Sequence, residues 1–483
     1  MLVTVKVSKM NAELVKKLLD VRPIYNGIKK KYSQKIEDIF KFYKEDECHV
    51  NNKYRVLEDQ DYDRFISKRA MIRQPSLTRH ITSMGYKVGK EMFSLAEGMP
   101  NEAIFPFTRL ELTTRSGGSL VLDEKDLASA LQYIPSQGFP SLLTEIRQFQ
   151  QELHRPPPIP GSRDVIVTNG SQNGIYQCVE LLVNDGDPII TTEYSYTGFY
   201  SSLRPYNPEI IGIPEDEYGL VPETLESILN NRIACGMKMP KMMYIIPTGN
   251  NPTGTVIPED RRRIIYELAC KYDFIIVEDD PYMFLNYDGN VPPSFISMDV
   301  CGRVIRLDSF SKVISAGLRA AWMTAPSALL HRAELHAQAE LLHSNSLGQA
   351  ILFRLLSNRS ALASHLHSTR SFYELRRNAL SEALRGVEGL AEWVKPSAGL
   401  FHWLHVRGVE DVYNMVFHTA LQRGLMLIPG HAFLYDTSAP CQYIRLAFSK
   451  INLEDIEPAV GHLAEIIRLE QKLKQPRRVA TEG

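Results

Sequence analysis

A chain of 483 residues, 44% hydrophobic and 23% charged, has an ordinary globular composition and the length of two or three domains. Its net charge of −1 gives no electrostatic footing for nucleic acid or an anionic membrane, and no apolar run is long enough to span a bilayer. The six cysteines form no CxxC pair and no metal-like spacing with histidine, Cys48-His49 being an isolated pair, so reduced thiols and no metal site are expected.

Residues 1–60 stand apart as an extension without a chemical motif. Leu14, Val15, Leu18, Leu19 and Val21 fit an amphipathic helix, but Glu13, Asp20 and the scarcity of arginine and serine match a mitochondrial transit peptide only in part. No secretory signal is present, so the expected compartment is cytoplasm or mitochondrial matrix. Ile36, Ile39, Phe40, Phe42 and Tyr43 have helical spacing and predict a short helical appendage.

From about residue 125, apolar β-branched runs alternate with helical patterns, and a motif follows several of the strands. The strand Asp164–Thr168 leads into Asn169-Gly170-Ser171-Gln172-Asn173-Gly174 and a helix from Gly174 to Val183. Such a turn presents free N–H groups and the helix dipole to an anion, with Ser171 and Gln172 adding side-chain donors; an ordinary turn with Ser171 as helix cap is equally open. After the strand Pro188–Thr191 comes Glu193-Tyr194-Ser195-Tyr196-Thr197-Gly198, where Tyr196 suits stacking on a planar ring, an ordinary core or surface tyrosine being equally open. Glu209–Ile213 is the next strand, and Met243–Ile246 precedes Asn250-Asn251-Pro252-Thr253-Gly254. A helix from Pro258 to Tyr272 puts Ile264, Ile265, Leu268 and Ala269 on one face, with the proline in its first turn. Phe274–Val277 runs into Glu278-Asp279-Asp280-Pro281-Tyr282, whose carboxylates need solvent, a cap or a cation.

The strand Val304–Leu307 ends in Asp308-Ser309-Phe310-Ser311-Lys312, and Arg319 precedes the strand Ala320–Met323. A lysine amine forms a Schiff base with a carbonyl once deprotonated, and hydroxyls with a guanidinium suit a phosphate. Pyridoxal 5′-phosphate offers both groups, although a solvated loop lysine fits the same short motif. Beyond about residue 350, a helical region (350–384) precedes an α+β segment with strands at 399–404, 425–428 and 442–447. A last helix carries Val460, Leu463, Ile466, Ile467 and Leu469, and the tail from Lys472 is expected to fray. Arg445, in an apolar strand, predicts either a contact to a substrate carboxylate or a structural ion pair.

In this order the motifs resemble those of the fold-type I pyridoxal-phosphate aminotransferases over about residues 62–470. Pro75-Ser76-Leu77-Thr78-Arg79, Phe93–Asn101, Ala130-Leu131-Gln132-Tyr133, Gly249–Gly254 and Pro429–Phe433 are similar to the kynurenine/α-aminoadipate and aromatic aminotransferase subgroup. The resemblance implies an α/β fold, with a large domain (126–350) around a mostly parallel sheet and a smaller α+β domain (351–483). Residues 61–125 would form an N-terminal arm and part of the small domain.

The resemblance also implies roles. Lys312 would anchor pyridoxal phosphate and move the proton, Asp279 would pair with the ring nitrogen, and Tyr196 would stack on the ring. Asn251 and Tyr282 would bond the phenolate oxygen. Ser171, Gln172, Ser309, Ser311 and Arg319 would hold the phosphate, helped by Tyr133 from the other subunit of a homodimer. Arg445, with Asn251, would bind the substrate α-carboxylate, and Gly98 and Arg79 would lie at the mouth. Relatives have two glycines where this chain has Glu97-Gly98; a carboxylate there either disfavours acidic substrates or faces outward. The implied reaction is transamination of an aromatic amino acid, kynurenine or 2-aminoadipate with a 2-oxo acid such as 2-oxoglutarate. A decarboxylase or β-eliminating lyase on the same cofactor is the alternative. A cofactor-sensing regulator ranks lower, because residues 1–60 show no helix-turn-helix pattern.

Overall fold

The computed structural model describes residues 54–78, 81, 84, 95–96, 98–289 and 291–474. The helical spacings expected before residue 50, Cys48-His49, Arg79, Glu97 and the tail after Lys474 lie outside these residues. Leu57, Tyr62 and Phe65 are buried in the main core, just before α1 (Lys68–Met71). A hairpin of β1 (Leu110–Thr113) and β2 (Ser119–Leu122) leads to α2 (Glu124–Ala130), capped by Asp123, and then to α3 (Pro140–His154).

The large domain then runs β3 (Arg163–Asn169), α4 (Ser171–Leu182), β4 (Pro188–Thr192), α5 (Thr197–Leu203), β5 (Glu209–Ile213), a small hairpin β6 (Glu215–Asp216) and β7 (Gly219–Leu220), and α6 (Pro222–Ala234). It continues with β8 (Met242–Ile245), α7 (Glu259–Tyr272), β9 (Ile275–Asp279), β10 (Val304–Ser309) and β11 (Ala320–Pro326). The seven-stranded sheet has the order β3-β11-β10-β9-β8-β4-β5. Strands β10, β9, β8, β4 and β5 are parallel, and β11 is antiparallel to both of its neighbours.

Alternate residues of a strand feed two cores. Ile275 and Val277 belong to one and Ile276 to the other, as do Met242 and Met243. That is the period-two burial of strands covered on both faces by helices. In α7, Ile265, Leu268, Ala269 and Tyr272 are buried, but Ile264, expected on that face, is exposed. It lies one residue, about 100° of rotation, off the buried stripe. Pro258 is the N-cap of this helix rather than a first-turn residue.

After α8 (Ser327–Glu340), the helical region expected from 350 begins earlier and is two helices, α9 (Ser346–Leu356) and α10 (Arg359–Ala383). Asn358 breaks it, its Oδ1 accepting the Ala361 N–H at 3.1 Å as an N-cap. The small domain adds β12 (Ala391–Trp393), β13 (Phe401–Val406), β14 (Ile428–Pro429), β15 (Tyr443–Ala447) and α11 (Ile456–Lys474), with antiparallel sheet order β12-β13-β15-β14. The strand expected over 425–428 is thus confined to its last residue, and β12 had no sequence signal. Among the described residues no helix is long and apolar enough to cross a membrane.

Candidate functional site

Parallel strands deliver their carboxyl ends to one edge of the sheet, where open α/β folds bind ligands. Asp279 closes β9 and Ser309 closes β10; the turn with Lys312 follows at once. Because β11 runs the other way, its start lies at this same edge. Its register pairs Ala320 with Asn169, which puts Arg319 beside Gly170 at the head of α4.

A cavity of about 430 Å³ opens there. Ser171, Gln172, Tyr196, Asn251, Asp279 and Tyr282 line it, as do Ser309, Ser311, Lys312, Arg319 and Arg445. Sequence reasoning had singled out all of these. Tyr133 is not among the lining residues; it is half exposed and meets His343 edge-on at 5.8 Å. Gly98 is exposed with open space around it. The other lining residues are apolar or small, among them Ile175, Ile246, Pro281, Leu400 and Phe401, with Ser449.

One end of the cavity is built for an anion. Gly170, with φ +85°, is the N-cap of α4, and the first intrahelical bond comes from Asn173 N. The Ser171 and Gln172 N–H groups therefore precede the helix ladder. Ser171 Oγ is buried with no hydrogen-bond partner, so the serine is not the cap that a plain turn would make it. Ser309 Oγ donates to Ser311 Oγ at 2.9 Å and accepts the Ser311 N–H at 3.0 Å. Arg319 donates to Ala316 O at 2.9 Å and Asn169 O at 3.2 Å. Gln172 departs from the expected role: its Nε2 donates to Gly198 O and Ser202 Oγ at 2.9 and 3.1 Å, leaving the backbone N–H as its donor to the cavity.

A Cβ on Gly170 would lie 1.9 Å from Arg319 Nη2, so only glycine lets the guanidinium approach α4. Gly170→Ala is expected to weaken cofactor binding at least tenfold and to cost about 1–3 kcal/mol of stability, through displaced Arg319 and a strained φ. Equilibrium dialysis with pyridoxal phosphate and a denaturant melt check this; unchanged values would refute the cradle.

At the other end, Tyr244 in β8 pairs in register with Val277 of β9, and its hydroxyl reaches two residues further to donate to Asp279 Oδ2 at 2.7 Å. Asp279 Oδ1 is buried with no partner. Burial pushes the Asp279 carboxyl up to about 6, against the Tyr244 hydrogen bond and the attraction of Lys312. Lys312 is held below the usual lysine range, first by burial and then by Arg445 and Arg319, while Asp279 opposes them. Tyr282 is buried edge-on to Phe401 at 5.9 Å.

Arg445 is held by an amide and two aromatic rings rather than by an ion pair. Its Nη1 donates to Asn251 Oδ1 at 2.8 Å, and its guanidinium lies 4.2 Å from the Phe401 ring centroid and 4.9 Å from that of Phe433. Among the described residues no carboxylate pairs with it, and its Nε is buried without a partner. A half-buried cation without a protein carboxylate leaves room for an anionic ligand.

The unsatisfied atoms fit pyridoxal phosphate. Ser171 Oγ and the N–H groups at the head of α4 suit its phosphate, Asp279 Oδ1 a ring N–H, and Lys312 an aldehyde. Beneath them, buried Arg306 bonds Glu278 at 2.9 Å, Asp308 at 2.8 Å and Asp280 at 3.3 Å, tying together the ends of β9 and β10.

Residues 93–463 match the family model described as aminotransferase class I and II. Over 421 residues the chain is 38% identical to the mouse mitochondrial kynurenine/alpha-aminoadipate aminotransferase, covering 84% of this chain and 99% of that protein. It is 32% identical to aromatic-amino-acid aminotransferase 1 of Thermococcus litoralis, over 85% of this chain and 96% of the other. Among solved structures, aminotransferase Aro8 from Candida albicans superimposes with a TM-score of 0.77 at 26% identity, covering 87% of this chain and all of that one. Pyrococcus horikoshii kynurenine aminotransferase, solved with PMP, substrate and product, gives 0.68 at 30% identity over 85% and 98% of the two chains.

Proposed function

This chain belongs to the class I and II aminotransferases, and from that premise we propose that it moves the amino group of an aromatic amino acid, kynurenine or 2-aminoadipate to a 2-oxo acid, with 2-oxoglutarate as acceptor. Arg445 carries the reading. It is a guanidinium between two phenyl rings, facing a cavity and lacking a protein carboxylate, as a site for an α-carboxylate next to an apolar side chain requires. The donor classes are those in the names of the mouse and archaeal relatives.

When bound, pyridoxal phosphate supplies an aldehyde that takes up the amine and a ring that draws electrons from the substrate Cα. The chain supplies the rest. Arg445 and Asn251 fix the carboxylate and so orient the Cα–H bond. Lys312 Nζ, kept low in pKa by burial, takes the Cα proton and later returns one. Asp279 would hold the proton on the ring nitrogen, Tyr282 and Asn251 would bond the phenolate oxygen, and Tyr196 would lie against the ring. Asn251 Oδ1 is committed to Arg445, so its amide N–H is the group left for that oxygen. Ile246, Leu400 and Phe401 keep the reacting end apolar. Two half-reactions share one site, so the kinetics are ping-pong. The active unit is a homodimer, in which half-exposed Tyr133 reaches the phosphate end of the other subunit's cavity.

Incubation with kynurenine, tryptophan, tyrosine, phenylalanine or 2-aminoadipate plus 2-oxoglutarate should form glutamate with at least one donor; glutamate from none would overturn the assignment. Arg445→Gln should raise KM for amino and 2-oxo acid alike, by about 10- to 100-fold, because a charge-assisted hydrogen-bond pair is lost. Its cofactor absorbance should stay that of the wild type.

A further inference from the structure

Glu215 lies outside the cavity and had no role in the sequence analysis, yet its carboxylate organises the turn that carries Asn251. Asn250 Nδ2 donates to both of its oxygens, at 3.0 and 3.1 Å. The hydroxyls of Thr255 and Thr253 donate to Oε1 at 3.0 and 3.2 Å. All three donors belong to residues 250–255, a turn otherwise closed by Gly254 N to Asn250 O at 2.7 Å and Asn250 N to Thr255 O at 3.0 Å. The hairpin that presents Glu215 is itself pinned, since Arg261 of α7 donates to both Asp216 oxygens at 2.7 and 2.6 Å.

Asn251 is the next residue along, and its Oδ1 receives Arg445. The same turn abuts the small domain so closely that a Cβ on Gly254 would lie 2.9 Å from Phe401 O, and one on Gly249 2.6 Å from Gly399 N. A shift of the turn therefore moves both Asn251 and the strand carrying the phenyl ring under Arg445. We infer that Glu215 is a positioning residue for substrate binding, holding the 250–255 turn so that Asn251 fixes the guanidinium that receives the substrate α-carboxylate. This inference rests on the assignment of Arg445 made above.

The charged and titratable groups that face Glu215 are Glu193, from the segment after β4, and Tyr200 of α5. Among the described residues no cation pairs with it. Burial pushes its carboxyl up to about 7; the hydrogen bonds from Thr255, Asn250 and Thr253 oppose this, and Glu193 adds to it. The ionised acceptor is thus present above about pH 7 and lost as the pH falls through it, so the turn should loosen on the acid side.

The test measures binding of 3-phenylpropionate, an aromatic carboxylate without an amine, to the cofactor-loaded enzyme by calorimetry, with the amine-transfer assay alongside. Glu215→Leu is expected to weaken this binding about five- to tenfold and to raise KM for the donor by a similar factor. Turnover at saturation should change less than twofold, and borohydride should still fix the cofactor to the protein. Glu215→Gln should show a smaller loss. Wild-type affinity should fall between pH 8 and pH 6, and that component should be missing from Glu215→Gln, which serves even if the leucine variant does not fold. Affinity and pH profile unchanged in Glu215→Gln would overturn the inference while leaving the aminotransferase reading intact. A wild type that binds 3-phenylpropionate but transfers no amine would overturn that reading while still allowing Glu215 to be tested. No binding by the wild type would overturn the assignment of Arg445 and this inference with it.

Discussion

Lys312→Ala should lower amine transfer by about 10⁴-fold or more and abolish the covalent link to pyridoxal phosphate that borohydride fixes. Two losses combine. A positioned general acid–base group contributes about 10²–10⁴-fold by itself, and the variant also lacks the amine that anchors the cofactor. The cavity makes this lysine suitable for both tasks. Burial and the cations Arg445 and Arg319 hold its pKa below the ordinary 10.5, so neutral amine is present at lower pH than on a free lysine. In the wild type, the rate at which cofactor-free protein takes up pyridoxal phosphate should rise with pH and level off below 10.5. Absorbance spectra before and after borohydride, with single-turnover kinetics, read both effects. A fixed link surviving in Lys312→Ala would assign the chemistry to another lysine.

The parts of this site that were legible in the sequence are those that follow strands. A run such as Phe274–Val277 is apolar at every position because both faces of its strand are covered, and the polar motif after it must then lie at the sheet edge. Asp279 and Lys312 could be placed by that logic, whereas Arg319 reaches the edge only because β11 runs antiparallel to its neighbours. Groups whose position depends on register between strands were not legible. Tyr244 reads as one more apolar strand residue, and only the pairing of β8 with β9 brings its hydroxyl to Asp279. Arg306 likewise sits in an apolar run and is accommodated by carboxylates from two strands. Gln172 lines the cavity from its strand-to-helix turn, but its side-chain amide donates to Gly198 and Ser202, which belong to a helix distant in sequence. Short edge elements also escaped. Hairpin β6–β7 contains only two residues in each strand, too few for periodicity, and it presents Glu215.

Asp279→Asn should lower turnover by about 10²–10³-fold, because it removes the preorganised charge that keeps a ring nitrogen protonated as Cα loses its proton. The substitution is nearly isosteric. An asparagine oxygen can still accept from Tyr244, but the group left facing the cavity is then an N–H donor, wrong for a ring N–H. Stability should respond in opposite senses with and without the cofactor, which separates this loss from misfolding. In the cofactor-free protein, burial raises the Asp279 carboxyl to about 6 from an unfolded value of 3.8. The folded state therefore binds more protons than the unfolded state between about pH 4 and 6, so this residue's contribution falls as pH rises through that window, and its cost is full above about 6. Asp279→Asn removes that cost. Cofactor-free variant should be more stable than cofactor-free wild type at pH 8, by roughly 2–3 kcal/mol, and equal to it at pH 4. With pyridoxal phosphate bound, the wild-type carboxylate gains a cationic partner and the order at pH 8 should reverse. Thermal melts of both proteins at the two pH values, with and without cofactor, measure all of this. Equal stabilisation of the two proteins by the cofactor would mean that Asp279 does not face the ring nitrogen.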